Sequence, residues 1–331
     1  MDPYQALISM TSSHWVTQAV YVAAKLGLAD LLADGSRSSA QLADATGTHT
    51  VSLHRLLRFL AILGVVEQVE SDRFALTPVG ELLRADVPGS GRSLAIFRGE
   101  ESYRAWGDLL HTVKTGEQAF SHVIGAPVFE YLVEHPERAG IFNNAMTSDP
   151  SIVAGISTVC DLSQFDVVVD VGGGNGTLLA SVLSAHPHLR GVLFDRPQVV
   201  EAAKDNPAVK NVANRCELVA GDFFTSVPAG GDAYILSRVL HDWDDQNCLK
   251  ILRQCRIAIP SHAKLLIVEP LLEDQARFSY VQGFDVNMMV MAGGRGRAED
   301  EFRKLLKTAA FQLARVVPLT VGAHMIEAVA D

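Results

Sequence analysis

The feature that most constrains this chain is the run Asp170-Val-Gly-Gly-Gly-Asn-Gly176, which closes the apolar stretch Asp166-Val-Val-Val-Asp170. Short apolar runs of this kind are buried strands, and glycines placed directly after one force the backbone into a tight turn that a ligand can approach closely. Three further apolar runs also end in a polar group: Gly191-Val-Leu-Phe-Asp195, Ala233-Tyr-Ile-Leu-Ser237 and Lys264-Leu-Leu-Ile-Val-Glu269. They alternate with helical stretches, which predicts a doubly wound parallel sheet, an α/β fold. Ligands of such sheets bind beyond the carboxyl ends of the strands, at the switch point. Gly172, Gly174 and Gly176 fall there, on the first strand-to-helix turn.

The 331 residues exceed one ordinary core, so two domains are expected. The first third is helical in periodicity. Apolar residues recur at three- and four-residue steps from Ala6 to Leu32, with Gly27 and Gly35 as punctuation. Two short helices follow around Thr46-Gly-Thr48, and then an alternating stretch turns at Ser71-Asp72. Helix, turn, helix, hairpin is the order of a winged-helix module, assigned to residues 1–100. Residues 101–150 are expected to form a helical linker or lid, and 151–331 the sheet domain. The last residues, from Ala314 to Leu319 and from His324 to Val329, read as a closing hairpin.

A net charge of −10 argues against a nucleic-acid partner, which needs clustered Lys and Arg. The first 100 residues, where a winged helix would touch DNA, hold 8 Lys/Arg against 10 Asp/Glu. No apolar run is long enough to span a membrane. The opening MDPYQALISM lacks the pattern of a signal peptide, so a cytoplasmic protein is expected. Cys160, Cys216, Cys248 and Cys255 form no Cys-x-x-Cys pair, which predicts buried free thiols and no metal site. Cys248 and Cys255, seven residues apart, share one helix face.

The glycine turn is not a dinucleotide fingerprint. In Gly172-Gly-Gly-Asn-Gly176 the last glycine comes one residue early for G-x-G-x-x-G, with Thr177 in its place. Asp195 ends the second strand and can accept both ribose hydroxyls, which disfavours a 2′-phosphate. Gly221-Asp222-Phe223 ends the third, where Asp222 can accept from an adenine amino group and Phe223 can pack on the ring. Together they point to an adenosine.

With these residues, and with Ser237-Arg-Val-Leu-His-Asp-Trp-Asp-Asp245, Val268-Glu-Pro270, Asp285-Val-Asn-Met288 and Gly293-Gly-Arg295, the chain resembles the class I S-adenosylmethionine (SAM)-dependent O-methyltransferases of the plant caffeate and bacterial natural-product type. The likeness covers nearly the whole chain. It is nearest to bacterial enzymes acting on phenazine, polyketide or anthracycline phenols. The resemblance implies a Rossmann-like SAM domain, an N-terminal α-helical winged-helix-like dimerisation domain and an intertwined homodimer. It further implies that residues near Thr11 to Trp15 reach the partner's pocket. For SAM it implies contacts from Gly172, Gly174, Asp195, Gly221, Asp222, Phe223, Ser237 and Arg238.

Methyl transfer to a phenol asks for an oxygen held in line with the donor and a base near neutrality. A phenol has a pKa of about 10, and histidine suits the task. His241, past the fourth strand, matches the family's general base, and Glu269, at the end of the next strand, matches the carboxylate that orients it. Asp242 is a secondary candidate, or the start of a helix. The plant pattern has a second glutamate where this chain has Gly296. Glu299 or Asp300 are substitutes only if they do not simply begin the following helix. For the acceptor, Trp106, Asn143 and Met146 are candidates from the helical lid. Asp285, Asn287, Met288, Met289 and Met291 are candidates near the end of the chain, methionine adapting well to flat rings. Two other readings stay open: a SAM-binding protein that transfers no methyl group, and a winged-helix DNA-binding regulator.

Overall fold

The computed structural model describes residues 2–146, 151–273, 280–320 and 322–331. The chain divides into two compact units, Met1–Arg104 with Pro136–Ser148, and Ala105–His135 with Asp149–Asp331.

The first unit opens with the helix Pro3–Lys25, capped by Asp2, whose side chain accepts from the Gln5 N–H, and preset by proline at its first turn. Only Ala19, Ala23 and Ala24 of this helix are buried, whereas Tyr4, Leu7, Ile8, Met10, Trp15 and Val16 are exposed. Gly27, in the left-handed region at φ +66°, ends the run. Strand β1 (Arg37–Ser38) leads into the helix Ser39–Thr46, closed by a reciprocal Ser38–Gln41 capping box. The helix Thr50–Ile62 buries Leu53, Leu57 and Leu60, spaced four and three apart on one face. Strands β2 (Val66–Glu70) and β3 (Arg73–Leu76) pair antiparallel around Ser71-Asp72, in the sheet order β1-β3-β2. The expected helix, turn, helix, hairpin order is therefore what forms.

The stretch 101–150, expected as a helical linker or lid, is divided between the two units. Ala105–His135 clusters with the second unit, and Pro136–Ser148 with the first. The reason lies in two contacts of the Pro136–Met146 helix. Arg138 pairs with Glu100 and Glu101, and the Phe142 ring meets Phe97 edge-on at 5.3 Å.

The second unit is built on seven strands: β4 (Val167–Val171), β5 (Arg190–Asp195), β6 (Cys216–Ala220), β7 (Ala233–Ser237), β8 (Lys264–Glu269), β9 (Phe311–Thr320) and β10 (Ala323–Ala330). Their order is β6-β5-β4-β7-β8-β10-β9. The first five in chain order run parallel, and β10 pairs antiparallel with both β8 and β9. Neighbouring residues go to opposite faces. Val169, Tyr234, Leu236, Leu265 and Ile267 join one core, and Val168, Ile235, Leu266 and Val268 the other. Both faces are covered, which is why the strands read as continuous apolar runs. The chain reverses between β4 and β7, so the switch point lies at their carboxyl ends. All four cysteines are free and buried, and Cys248 and Cys255 share the inner face of the helix Asp245–Ala258. No helix among the described residues is long and apolar enough to cross a membrane.

Candidate active site

At the switch point the backbone leaves β4 through Gly172, Gly174 and Gly176, at φ +72°, +60° and +78°. These angles are open to glycine and strained for other residues. The space is equally restrictive. A Cβ at Gly172 would stand 2.9 Å from Val239 Cγ2, and one at Gly176 2.7 Å from Val209 Cγ2. Gly176 is also the N-cap of the helix Thr177–Ala185, whose first N–H, on Thr177, donates to Asn175 Oδ1 at 3.1 Å.

Two carboxyl groups stand behind the turn. Asp195, at the end of β5, accepts from Gly174 N (2.8 Å) and Arg196 N (2.7 Å). Burial raises its pKa above the usual carboxylate value in spite of those bonds. Asp170 is buried outright, and neither of its carboxyl oxygens has a hydrogen bond among the described residues. Burial, reinforced by the charge on Asp195, pushes it up to about 7. A buried carboxyl without a donor is a group waiting for one. The sequence singled out the run that contains Asp170 but gave that residue no role.

Gly221 is required by close packing, because a Cβ there would overlap the Phe194 ring. Asp222 is exposed and accepts from Phe224 N at 2.9 Å, so part of its acceptor capacity serves its own turn. The Phe223 ring lies over the glycine turn, 3.5 Å from where a Gly172 Cβ would be. Three aromatic side chains that periodicity did not nominate extend this wall. Phe224 meets Trp243 edge-on at 4.8 Å, and Phe129 stacks on Trp243 at 5.6 Å. Trp243 stood inside the quoted His-Asp-Trp block; Phe129 and Phe224 had no such marker. The Arg196 guanidinium covers Phe129 at 5.4 Å.

Ser237 ends β7, and Arg238 follows in the left-handed region at φ +56°, donating its N–H to Val268 O. A non-glycine residue held there costs free energy that the surroundings must supply, and such residues gather at functional sites. The twist delivers a short 3₁₀ turn, Leu240–Asp242, to the carboxyl end of β8. Glu269 holds it. One carboxylate oxygen accepts from Val239 N (3.1 Å), Leu240 N (2.8 Å) and His241 N (3.3 Å). The other lies 2.5 Å from His241 Nδ1. Burial lowers the pKa of His241, but the charges on Glu269 and Asp242 and the hydrogen bond to Glu269 outweigh it, and the imidazole is more basic than an ordinary histidine. Asp242 Oδ1 lies 3.6 Å from His241 Nε2, and burial pushes its carboxyl up to about 6. The Phe284 ring stands edge-on to the imidazole at 4.8 Å.

Behind the turn lies Arg297, whose side chain is fully buried. It donates to Leu240 O (2.9 Å) and Trp243 O (2.7 Å), and pairs with Asp245 at 2.8 Å. Sequence reasoning missed it, because nothing local marks an arginine as buried. Gly296, where the plant pattern has glutamate, donates its N–H to Asp285 Oδ1 at 2.7 Å, and a Cβ there would stand 3.3 Å from that oxygen. Asp285 is thus tied to the backbone of this loop. Glu299 and Asp300 pair with Arg303 and Lys304 in the first turn of the helix Glu299–Thr308, so neither substitutes for the second glutamate.

Among the other acceptor candidates, Trp106 Nε1 donates to Asn287 Oδ1 at 2.8 Å, so these two engage each other. Met288 and Met291 are buried on the helix Tyr280–Met291, and Met289 is half-buried. Asn143 and Met146 sit on the Pro136–Met146 helix and so belong to the first unit.

Comparison with known proteins agrees with this layout. A family model for the O-methyltransferase domain matches residues 106–312, and one for the O-methyltransferase dimerisation domain matches residues 8–86. A phenazine O-methyltransferase of Lysobacter antibioticus is 46% identical over 323 residues, 97% of this chain and 95% of that one. Among solved structures, LaPhzM superposes with a TM-score of 0.96 at 44% identity, covering 100% of both chains. Human N-acetylserotonin methyltransferase, solved in complex with SAM, superposes with a TM-score of 0.92 at 27% identity, covering 100% of this chain and 98% of that one.

Proposed function

Because the chain belongs to the O-methyltransferase family, matched in both its transferase and its dimerisation regions, we propose that it moves a methyl group from SAM to a phenolic hydroxyl of a small aromatic natural product, with His241 as general base. The donor, when bound, supplies a methyl group on a sulfonium that needs no further activation. The turn suits such a ligand. A Cβ at Gly174 would meet nothing within 4 Å, so the turn has an open face, and the buried carboxyl of Asp170 has no hydrogen-bond donor among the described residues. Gly172, Gly174, Asp195, Gly221, Asp222, Phe223, Ser237 and Arg238 are assigned to hold the donor.

The observation that carries the reading is the buried His241–Glu269 pair, 2.5 Å apart, at the end of β8 beside the switch point. With Nδ1–H donated to Glu269, Nε2 keeps its lone pair, which can take the phenol proton as the oxygen is methylated. Glu269 then stabilises the imidazolium, and three backbone N–H groups keep the carboxylate in place. Asp242 stands beside the same nitrogen and adds to its basicity. Trp106, Asp285, Asn287, Met288 and Met291, all of the second unit, are assigned to the acceptor side. The protein is proposed to act as a homodimer through its first unit.

Incubation with methyl-labelled SAM and a panel of hydroxylated aromatics, phenazines included, is expected to give a labelled aryl ether. His241→Asn is expected to slow it about 10²- to 10⁴-fold. Intact SAM with no labelled product would overturn methyl transfer in favour of the non-methylating reading that the missing carboxylate at Gly296 permits. An unchanged rate in His241→Asn would remove the base.

A further inference from the structure

We propose that Asp108, His111 and His122 form a divalent transition-metal site, of the kind that takes Zn²⁺, on the outside of the second unit. One ligand atom from each of the three lies within 4.8 Å of the others. They come from both arms of a helical hairpin. Asp108 precedes the helix Leu109–Thr115, which carries His111, and His122 lies on the helix Ala119–Ile124. The two imidazoles lie face to face with centroids 3.9 Å apart and planes 3° from parallel. His122 Nδ1 is 2.6 Å from Asp108 Oδ2.

The second observation is His111 Nε2. That nitrogen is buried and has no hydrogen bond among the described residues. Glu117 Oε2, 3.4 Å away, approaches it without forming one. Two imidazoles with a carboxylate are a zinc-type donor set, whereas magnesium and calcium prefer oxygen alone. Donor atoms held about 2.05 Å from a tetrahedral zinc sit roughly 3.3 Å apart. The His122–Asp108 contact would therefore open by roughly 0.7 Å, a small movement for a His122 side chain that is 57% exposed. The hairpin also carries Gln118, whose side chain donates to Ala292 O at the end of the Tyr280–Met291 helix. Asp108 lies two residues beyond Trp106, so a bound ion would staple the segment that carries this side chain.

Calorimetric titration of the full-length protein with ZnCl₂ tests the site independently of any methyl transfer. The expected result is one strong site per chain, weakened about tenfold or more in His122→Ala and again in Asp108→Asn. Co²⁺ should give the visible absorption of a tetrahedral ion, and His122→Ala should abolish it. Because His122 is largely exposed, its alanine variant is expected to keep the wild-type melting temperature without metal. Absence of Zn²⁺ binding at micromolar concentration would overturn the site and leave a stacked His–His–Asp contact. So would equal binding by wild type and His122→Ala, which would send the ion elsewhere among the 11 histidines.

Discussion

Glu269 serves two partners with its two oxygens: three backbone N–H groups on one side and the His241 imidazole on the other. This makes Glu269→Gln a selective probe. The amide keeps an oxygen for the backbone donors, but it presents an N–H to Nδ1, which favours the tautomer with the proton on Nε2. That tautomer cannot accept from a phenol, and in other enzymes an acid-to-amide change beside a histidine has cost about 10⁴-fold in rate. A loss of 10²- to 10⁴-fold in kcat with SAM binding retained is expected. The pH profile gives the sign. A base must be unprotonated, and the His241 pKa lies above its ordinary value of about 6.5, so wild-type kcat/KM rises with pH through a midpoint above that figure. Removing the Glu269 charge removes a cause of the elevation, so the variant's residual rate should rise at lower pH. An unchanged midpoint would show that Glu269 does not set the basicity of His241. Both residues were named in sequence by the resemblance, aided by their standing at or just past the end of an apolar strand run. Arg297, Phe129 and Phe224 were not, since their burial and ring contacts come from segments distant in the chain. The pairing of Asp285 with Gly296 was likewise invisible, because neither residue type alone implies a loop clasp.

At the scale of elements, the 3₁₀ turn that presents His241 is gripped by the loop from Gly293 to Arg297. Arg295 N donates to His241 O (2.9 Å), and Arg297 donates to the carbonyls of Leu240 and Trp243. A Cβ at Gly294 would overlap the backbone from His241 to Trp243, so the loop and the turn approach as closely as atoms permit. Gly294→Ala must therefore push the turn, and its histidine, outward. A displacement of about 1 Å at reacting groups costs on the order of 10²-fold in rate. The expected phenotype is a 10- to 100-fold lower kcat, with SAM affinity within about twofold of wild type, read by single-turnover kinetics and equilibrium dialysis. A kcat within twofold of wild type would mean that the loop yields instead and has no part in positioning. The sequence offered Gly293-Gly-Arg only as a pattern to match. The physical need for Gly294 is a contact between elements some 50 residues apart, and strand or helix periodicity carries no record of such a contact.

At the scale of the whole molecule, the parallel sheet and the closing hairpin followed from apolar runs and their alternation, since burial on both faces writes itself into composition, whereas the strand order did not. The division of residues 101–150 did not. Helical periodicity says that a segment is a helix, not which core it joins; that was decided by Arg138 meeting Glu100 and Glu101, and by Phe142 meeting Phe97. The Pro3–Lys25 helix poses a related question, because its apolar side chains outnumber the places the first unit has to bury them. Tyr4, Leu7, Ile8, Met10, Trp15 and Val16 stay exposed along it, and Trp15 with Val22, Leu56 and Phe59 lines an apolar groove. A contiguous apolar surface of this kind marks an association site, and from Ile8 onward it lies within the region matched by the dimerisation model. If a second copy covers it, Trp15 should behave as an anchor. Truncating a buried interface tryptophan costs about 2 kcal/mol or more, which weakens the dimer roughly 30-fold. Sedimentation equilibrium should then find wild type dimeric at low micromolar concentration. Trp15→Asp, which adds a charge with no counterpart, should be largely monomeric, while its far-ultraviolet circular dichroism stays unchanged because the side chain is already 59% exposed. A wild-type monomer, or a Trp15→Asp variant that remains a tight dimer, would mean that this helix face is not where two copies meet.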